Sequence, residues 1–244
     1  MPSYAPEQFR CVRVHERTVS DITTETGLRR ATARTGRDGV LVLAGRPDTA
    51  GIDVVAWYDR LAVWRVVGGD SIAPDADGVL GGRFRGTLRG DGRYTPWRRP
   101  FVPDEVRELS DVGAALEDFF PPLPLRALQV GEEWRAGDTL GVQRLADSAS
   151  AERYRVQRNV EGRVAPPPGD TLTPAFDRII AERGTLAWHP ARGPLRYDRR
   201  TEVEVLVPPS GSVKRAVRTR LDQRAVTEWL GEDPPACAGL RPEE

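Results

Sequence analysis

The sequence predicts a mainly β protein: a large curved antiparallel sheet, or half-barrel, with one α-helix packed across its concave face. Apolar and polar residues alternate with a period of two along most of the chain, as they do in half-buried strands. One central stretch, 104–119, instead has apolar residues at three- and four-residue steps, which is typical of one helical face. A large antiparallel sheet twists and curls, so we expect this helix to cover its apolar side.

In the first part of the chain, alternating segments end at turns rich in Gly and Pro. A long strand is predicted at 9–20, a second at 27–35, a turn at 36–39 and a short strand at 40–44. Within the aromatic segment 54–67, Asp59 and Arg60 either form a hairpin turn or lie inside a strand. A hairpin follows at 79–97, with Gly90-Asp91-Gly92 at its turn.

The central segment has the pattern of a single amphipathic helix. Asp104 is a suitable N-cap, and Pro121 and Pro122 cannot continue a helix, so the helix is expected to end by Phe120. Its apolar face would consist of Val106, Leu109, Val112, Leu116 and Phe119.

The second part of the chain predicts two hairpins, 139–160 and 179–207, and a last strand with clear alternation from Val217 to Trp229. The domain organisation that follows is a flexible leader at 1–8, one β-rich domain at 9–230, and a flexible, Pro-rich, acidic tail at 231–244.

Composition and charge exclude several classes of partner. The 36 basic and 36 acidic residues give a net charge of zero, so nothing in the overall charge favours nucleic acid or an acidic membrane as a partner. The apolar stretch 52–67 contains Asp53, Asp59, Arg60 and Arg65, which excludes a transmembrane helix there. The N-terminus has neither the basic nor the apolar region of a signal peptide, so the chain is either cytoplasmic or a mature domain with a new start methionine.

Cys11 and Cys237 are the two cysteines, and they stand near opposite ends of the chain. They either form one disulfide that closes a very long loop, or remain an inert buried thiol and a solvated thiol in the tail. Without a Cys-x-x-Cys pair, a thiolate zinc site is not expected.

The sequence contains none of the common catalytic or nucleotide-binding motifs, and we predict no catalytic residue, no metal site and no cofactor. Neither His15 nor His189 has the spacing of a metal ligand. The tryptophans are interpreted as core residues beneath the helix, the alternative being that several line an apolar ligand site. They are Trp57, Trp64, Trp97, Trp134, Trp188 and Trp229.

Two short motifs resemble an uncharacterised family of exported bacterial β proteins, a domain of unknown function. They are the Pro-rich step into Gly131-Glu132-Glu133-Trp134 and the hairpin that joins 184–188 to 193–197. The resemblance covers roughly residues 80–230. It implies a sheet similar to the curved, helix-plugged half-barrels of bacterial lipoprotein carriers, and an exported or periplasmic location. It implies no catalytic residue.

Three functions are compatible with these patterns. The first is a non-enzymatic, carrier-like domain that binds an apolar ligand or a protein partner. The second is a structural or interaction domain whose core is completely filled. The third, and least favoured, is a hydrolase, which would require His15 or His189 to meet a carboxylate inside a cleft. The volume left beneath the predicted helix distinguishes the first function from the second.

Overall fold

Twelve β-strands make up most of the described part of the protein. The structure is a computed structural model that describes residues 1–148, 151–166, 174–210 and 213–238. The strands are β1 Val12–Thr26, β2 Arg29–Asp48, β3 Gly51–Val67, β4 Asp70–Ile72, β5 Phe84–Leu88, β6 Tyr94–Arg98, β7 Glu133–Ala136, β8 Leu140–Ser148, β9 Ala151–Val164, β10 Phe176–His189, β11 Gly193–Val207 and β12 Val217–Glu232.

These strands form one open antiparallel sheet, as predicted. Its order is β6-β5-β3-β2-β1-β12-β11-β10-β9-β8-β7, with β4 paired to β3 alone. The three predicted hairpins are present as β5–β6, β8–β9 and β10–β11. The two halves of the chain are joined by the pairing of β1 with β12, whose residues are about as far apart in sequence as the chain allows.

The sheet curves so that its two ends approach each other. Arg93, in the β5–β6 turn, lines the same cavity as Ala136 and Leu140 from the opposite end of the sheet. In a flat sheet these strands would lie roughly 40 Å apart, since neighbouring strands are spaced by about 4.8 Å. We call the face that lines this curve the inner face; it carries the main core, including Val14, Leu41 and Leu186.

The predicted single helix at 104–119 is wrong in form, although four of its five apolar residues are buried as expected and the fifth, Leu109, is half-buried. The structure has one helical turn, α1 Asp104–Arg107, then a 3-10 turn at Val112–Ala114. Asp111 interrupts the helix: its backbone is non-helical, and its side chain accepts a hydrogen bond from the Ala114 N–H. Four residues of the predicted face are at most 4% exposed, and they are Val106, Val112, Leu116 and Phe119. The spacing therefore predicted burial correctly, because successive tight turns can present the same residues to a core.

Gly36 and Gly39 do not form the predicted turn. Both lie inside β2, where a Cβ atom on Gly36 would stand 2.2 Å from the Trp64 ring and one on Gly39 would stand 2.9 Å from the Tyr58 ring. These glycines provide space for aromatic rings of β3 rather than a change of direction. Asp59 lies within β3, at the bulge where the register to β2 shifts.

Both predicted flexible ends are attached to the folded domain. Tyr4 is 4% exposed, and its hydroxyl donates a hydrogen bond to the Pro121 carbonyl at 3.0 Å. At the other end β12 continues to Glu232, and Cys237 forms a disulfide with Cys11. The predicted leader and the start of the tail are therefore ordered by packing and by the crosslink; residues 239–244 lie outside the described part.

Candidate functional site: an open apolar row on the inner face

The segment 102–123, which we call the plug, covers only one half of the inner face. Under the plug, Val14 and Leu41 are fully buried. Toward the other ends of the same strands, Ile22 and Ala33 are only half-buried. Side chains of a strand alternate between the two faces, so these residues still point to the inner side. No part of the chain that the structure describes therefore covers this half of the inner face.

One row across the open half is apolar on every strand that it crosses. Seven residues lie directly opposite one another on neighbouring strands, and we call them the apolar row: Val67, Ala33, Ile22, Leu221, Val203, Ile180 and Val160. Val67 is 42% exposed, and the other six are half-buried. Six steps of about 4.8 Å between strands make the row about 29 Å long.

The next row toward the plug is polar. Ser20, Gln223, Thr201 and Glu182 lie opposite one another there, on the four central strands. Ser20 and Gln223 are joined by a side-chain hydrogen bond of 3.2 Å. On these four strands the inner face therefore changes from apolar to polar between one inward-facing residue and the next. This boundary lies just outside the plug.

A cavity of about 350 Å³ opens between these polar residues and the edge of the plug. Ser20, Gln223, Arg37 and Arg199 line it from the sheet, while Ile22 and Leu221 connect it to the apolar row. The plug adds its own wall with Leu109, Ser110, Asp111, Ala114, Ala115 and Asp118. A second cavity, of about 470 Å³, lies on the other side of Asp118 and Arg199. Both volumes are in the range of small-molecule sites.

A buried charge cluster lies at one side of the first cavity. Glu16 is 4% exposed and accepts two contacts from Arg37, with Nε–Oε1 at 2.7 Å and Nη2–Oε2 at 3.2 Å. The Tyr58 hydroxyl donates to the same carboxylate. Arg37 also reaches Ser110 of the plug at 3.5 Å. Burial alone would lower the pKa of Arg37, but the charge and hydrogen bond of Glu16, together with smaller contributions from Tyr58 and Asp111, outweigh it and raise the pKa well above its usual value.

A similar cluster lies on the other side of the inner face. Glu182, 7% exposed, accepts a hydrogen bond from the Tyr197 hydroxyl at 3.4 Å and lies 3.7 Å from Nη1 of Arg199. The same Nη1 donates to the Asp118 carbonyl of the plug at 2.8 Å. Each cluster therefore joins a strand carboxylate, a tyrosine and an arginine that contacts the plug. Together they hold the plug on both sides of the cavity.

Burial raises the pKa of every tyrosine in the chain above the ordinary value of 10. Ionisation consequently favours the unfolded state, and the free energy of unfolding should fall as the pH rises above about 10. In an absorbance titration we expect almost no tyrosinate at about pH 10, followed by ionisation of all five tyrosines together with loss of the circular-dichroism signal. A tyrosine that ionises near pH 10 in the folded protein would contradict this burial.

The histidines do not form a catalytic arrangement with a cleft. His15 lies 3.2 Å from Asp38, but this pair is on the outer face, with both side chains about one-third exposed. His189 accepts backbone hydrogen bonds from Ala191 and Arg192 in the β10–β11 turn. Among the described residues, no group of three or more His, Cys, Asp or Glu side chains is placed to hold a metal ion.

The tryptophans do not line the apolar row. Trp188 is fully buried in the core, and Trp134 and Trp229 pack against it. Trp57 lies in a small cluster on the outer face beside the disulfide, and Trp97 is exposed. Sequence reasoning missed the residues of the row because they are ordinary Val, Ile, Leu and Ala. Only the period-two alternation pointed to them, and alternation does not show which residues pair.

No family model and no curated protein matches the chain. A solved structure of lipovitellin, described as "Lipid-protein interactions in lipovitellin", is similar in fold, with a TM-score of 0.54 and 12% sequence identity over 91% of this chain. The chain spans only 25% of that structure's length. No helix in the described part of the chain is long and apolar enough to cross a membrane. The likeness extends to the large open antiparallel sheet, and it is a likeness of fold.

Proposed function

We propose that this protein is a non-enzymatic binding domain that holds an elongated apolar ligand on the open half of its inner face. The observation that supports this function is the apolar row. Seven side chains in register on seven strands leave an apolar strip about 29 Å long without a protein cover in the described part of the chain. Water on such a strip is unfavourable, and a long apolar chain would remove it.

The surroundings of the row favour a ligand with one polar end. Ile22 and Leu221 belong both to the apolar row and to the lining of the 350 Å³ cavity, so a chain lying on the row would continue into that cavity. There it would meet the donors of Arg37 and Arg199 and the carboxylates of Asp111 and Asp118. Because both signs of charge are present, a hydroxylated or dipolar end group fits better than a simple anion.

Two likenesses agree with this proposal. The lipovitellin structure, which is similar in fold, is one of lipid–protein interactions in that protein. The sequence motifs resemble a family whose sheet is similar to half-barrels that carry lipoproteins. The open cavities also favour a ligand-binding interior over a completely filled one.

A charge placed on the row should abolish binding. In Val203→Asp the carboxylate would lie in the middle of the apolar row, and we expect the affinity for the neutral fluorescent probe N-phenylnaphthylamine to fall about tenfold or more. The matched control is Leu230→Asp, near the far end of β12, another strand that the row crosses, where the side chain is 60% exposed. This control should bind the probe as the wild type does.

The same pair of variants tests the alternative that the row binds protein. Equal probe binding by both variants, with both still folded by circular dichroism, would contradict a ligand site on the row. If Val203→Asp instead changed only the oligomeric state, measured by light scattering, the row would be a protein interface.

Native mass spectrometry of the protein as purified should also detect a bound lipid-like mass.

A further inference from the structure

Two large aromatic side chains stand out from one edge of the sheet. Trp97 is 56% exposed and Phe101 is 79% exposed. They flank the end of β6, the edge strand beyond β5. Rings of this size are usually covered by the protein, so two exposed within five residues indicate a surface that is covered by something else. We call Trp97 and Phe101 the aromatic edge.

The backbone holds both rings outward. Arg85 pairs with Arg98 and Gly86 pairs with Pro96, so Trp97 is the extra residue of a β-bulge, a feature that redirects side chains. Phe101 is fixed by its neighbours. A Cβ on Gly82 would stand 2.8 Å from Pro100, and Val102 is 7% exposed in the core. Both exposed rings are therefore presented by anchored backbone.

Positive charge surrounds the aromatic edge. The Arg85 guanidinium lies 5.5 Å from the centre of the Trp97 ring. Arg98 stands directly opposite Arg85 in the β5–β6 ladder, and two like charges in this position repel each other. Glu117 of the plug forms an ion pair with Arg99, the residue that follows Arg98. An anionic partner would relieve the repulsion between Arg85 and Arg98.

We propose that the aromatic edge binds the surface of an anionic lipid bilayer. Trp and Phe partition into the interface of a bilayer, and each arginine near an anionic surface adds an electrostatic attraction. A protein partner that extends the sheet at β6 is disfavoured, because Pro96 has no N–H to donate and the bulge twists the edge. This inference does not depend on the ligand proposed for the apolar row.

Co-sedimentation with vesicles tests the proposal. The wild type should bind vesicles of phosphatidylcholine with phosphatidylserine and bind vesicles of phosphatidylcholine alone more weakly. The double variant Trp97→Ala/Phe101→Ala should lose about tenfold or more in affinity, since both apolar groups are removed from the interface. Arg98→Gln should weaken binding to the anionic vesicles about fivefold and leave binding to the other vesicles unchanged. Added salt should also weaken binding to the anionic vesicles.

Two controls make the result specific. Leu125→Ala/Val130→Ala removes two side chains that are each 63% exposed elsewhere, and it should bind vesicles normally. Trp97→Phe keeps a large ring and should retain most of the binding. The proposal would be overturned if the wild type bound neither kind of vesicle, or if the two double variants lost the same amount of vesicle binding. Unchanged vesicle binding with altered self-association in Trp97→Ala/Phe101→Ala would assign the edge to protein contact instead.

Discussion

Replacement of Arg37 by methionine is expected to lower the free energy of unfolding by about 3–5 kcal/mol. Arg37 is the counter-charge of Glu16, which is only 4% exposed and cannot be solvated without disrupting the core. A buried carboxylate left without its partner is far less favourable than the intact pair. Urea unfolding followed by tryptophan fluorescence measures the change.

The control for this prediction lies on the same strand. Arg34 lies 3.6 Å from Asp21, but their side chains are 58% and 66% exposed, and Arg34→Met should change stability by less than about 1 kcal/mol. In the double variant Glu16→Leu/Arg37→Met both charges are absent, and much of the stability should return. If Arg37→Met were as mild as Arg34→Met, Glu16 would have to reach water in the variant.

The same substitution also reports on the plug. Arg37 contacts Ser110, so its loss should loosen the segment above the 350 Å³ cavity. In Arg37→Met at a urea concentration well below the transition, amide hydrogens around 106–116 should exchange faster than in the wild type, while those of β10 and β11 should not. Uniform acceleration would indicate a general loss of stability rather than a local role of Arg37.

Removal of the Cys11–Cys237 disulfide is expected to cost roughly 2–5 kcal/mol of stability. The two residues are separated by 226 positions, so the crosslink restricts the unfolded chain over almost its whole length. In the fold it attaches the C-terminal segment to the start of β1, beside Val42 and Trp57 on the outer face. The variant Cys11→Ala/Cys237→Ala should therefore unfold at a clearly lower urea concentration than the oxidised wild type.

A reductant provides the internal control. Dithiothreitol should lower the midpoint of the wild type toward that of Cys11→Ala/Cys237→Ala and should leave the variant itself unchanged. A wild-type midpoint that does not respond to the reductant, with full thiol accessibility shown by labelling, would mean that the crosslink contributes no stability. The disulfide lies away from the apolar row, so Cys11→Ala/Cys237→Ala should still bind N-phenylnaphthylamine at low urea concentrations.

The central segment shows what a local sequence pattern can predict and what it cannot. Val106, Val112, Leu116 and Phe119 were predicted to be buried on one side, and they are. The helical conformation was wrong, because Asp111 forms a local side-chain cap that competes with a continuous helix. At Gly36 and Gly39 the composition favoured a turn, yet both glycines lie in β2 because rings from β3 need the space. In both places a contact with another part of the chain, or a local cap, outweighed the residue preference.

Sequence patterns alone predicted a large antiparallel β structure and, on strands such as β1, β11 and β12, which side chains share a face. Alternation and turn composition are local properties, so they can be read from neighbouring residues. The register of β1 against β12, the joining of the two cysteines, and the partners of Glu16 and Glu182 became known from the folded structure. These depend on residues far apart in the chain. The apolar row exists for the same reason: each member is an unremarkable aliphatic residue, and strand pairing alone places all seven side by side.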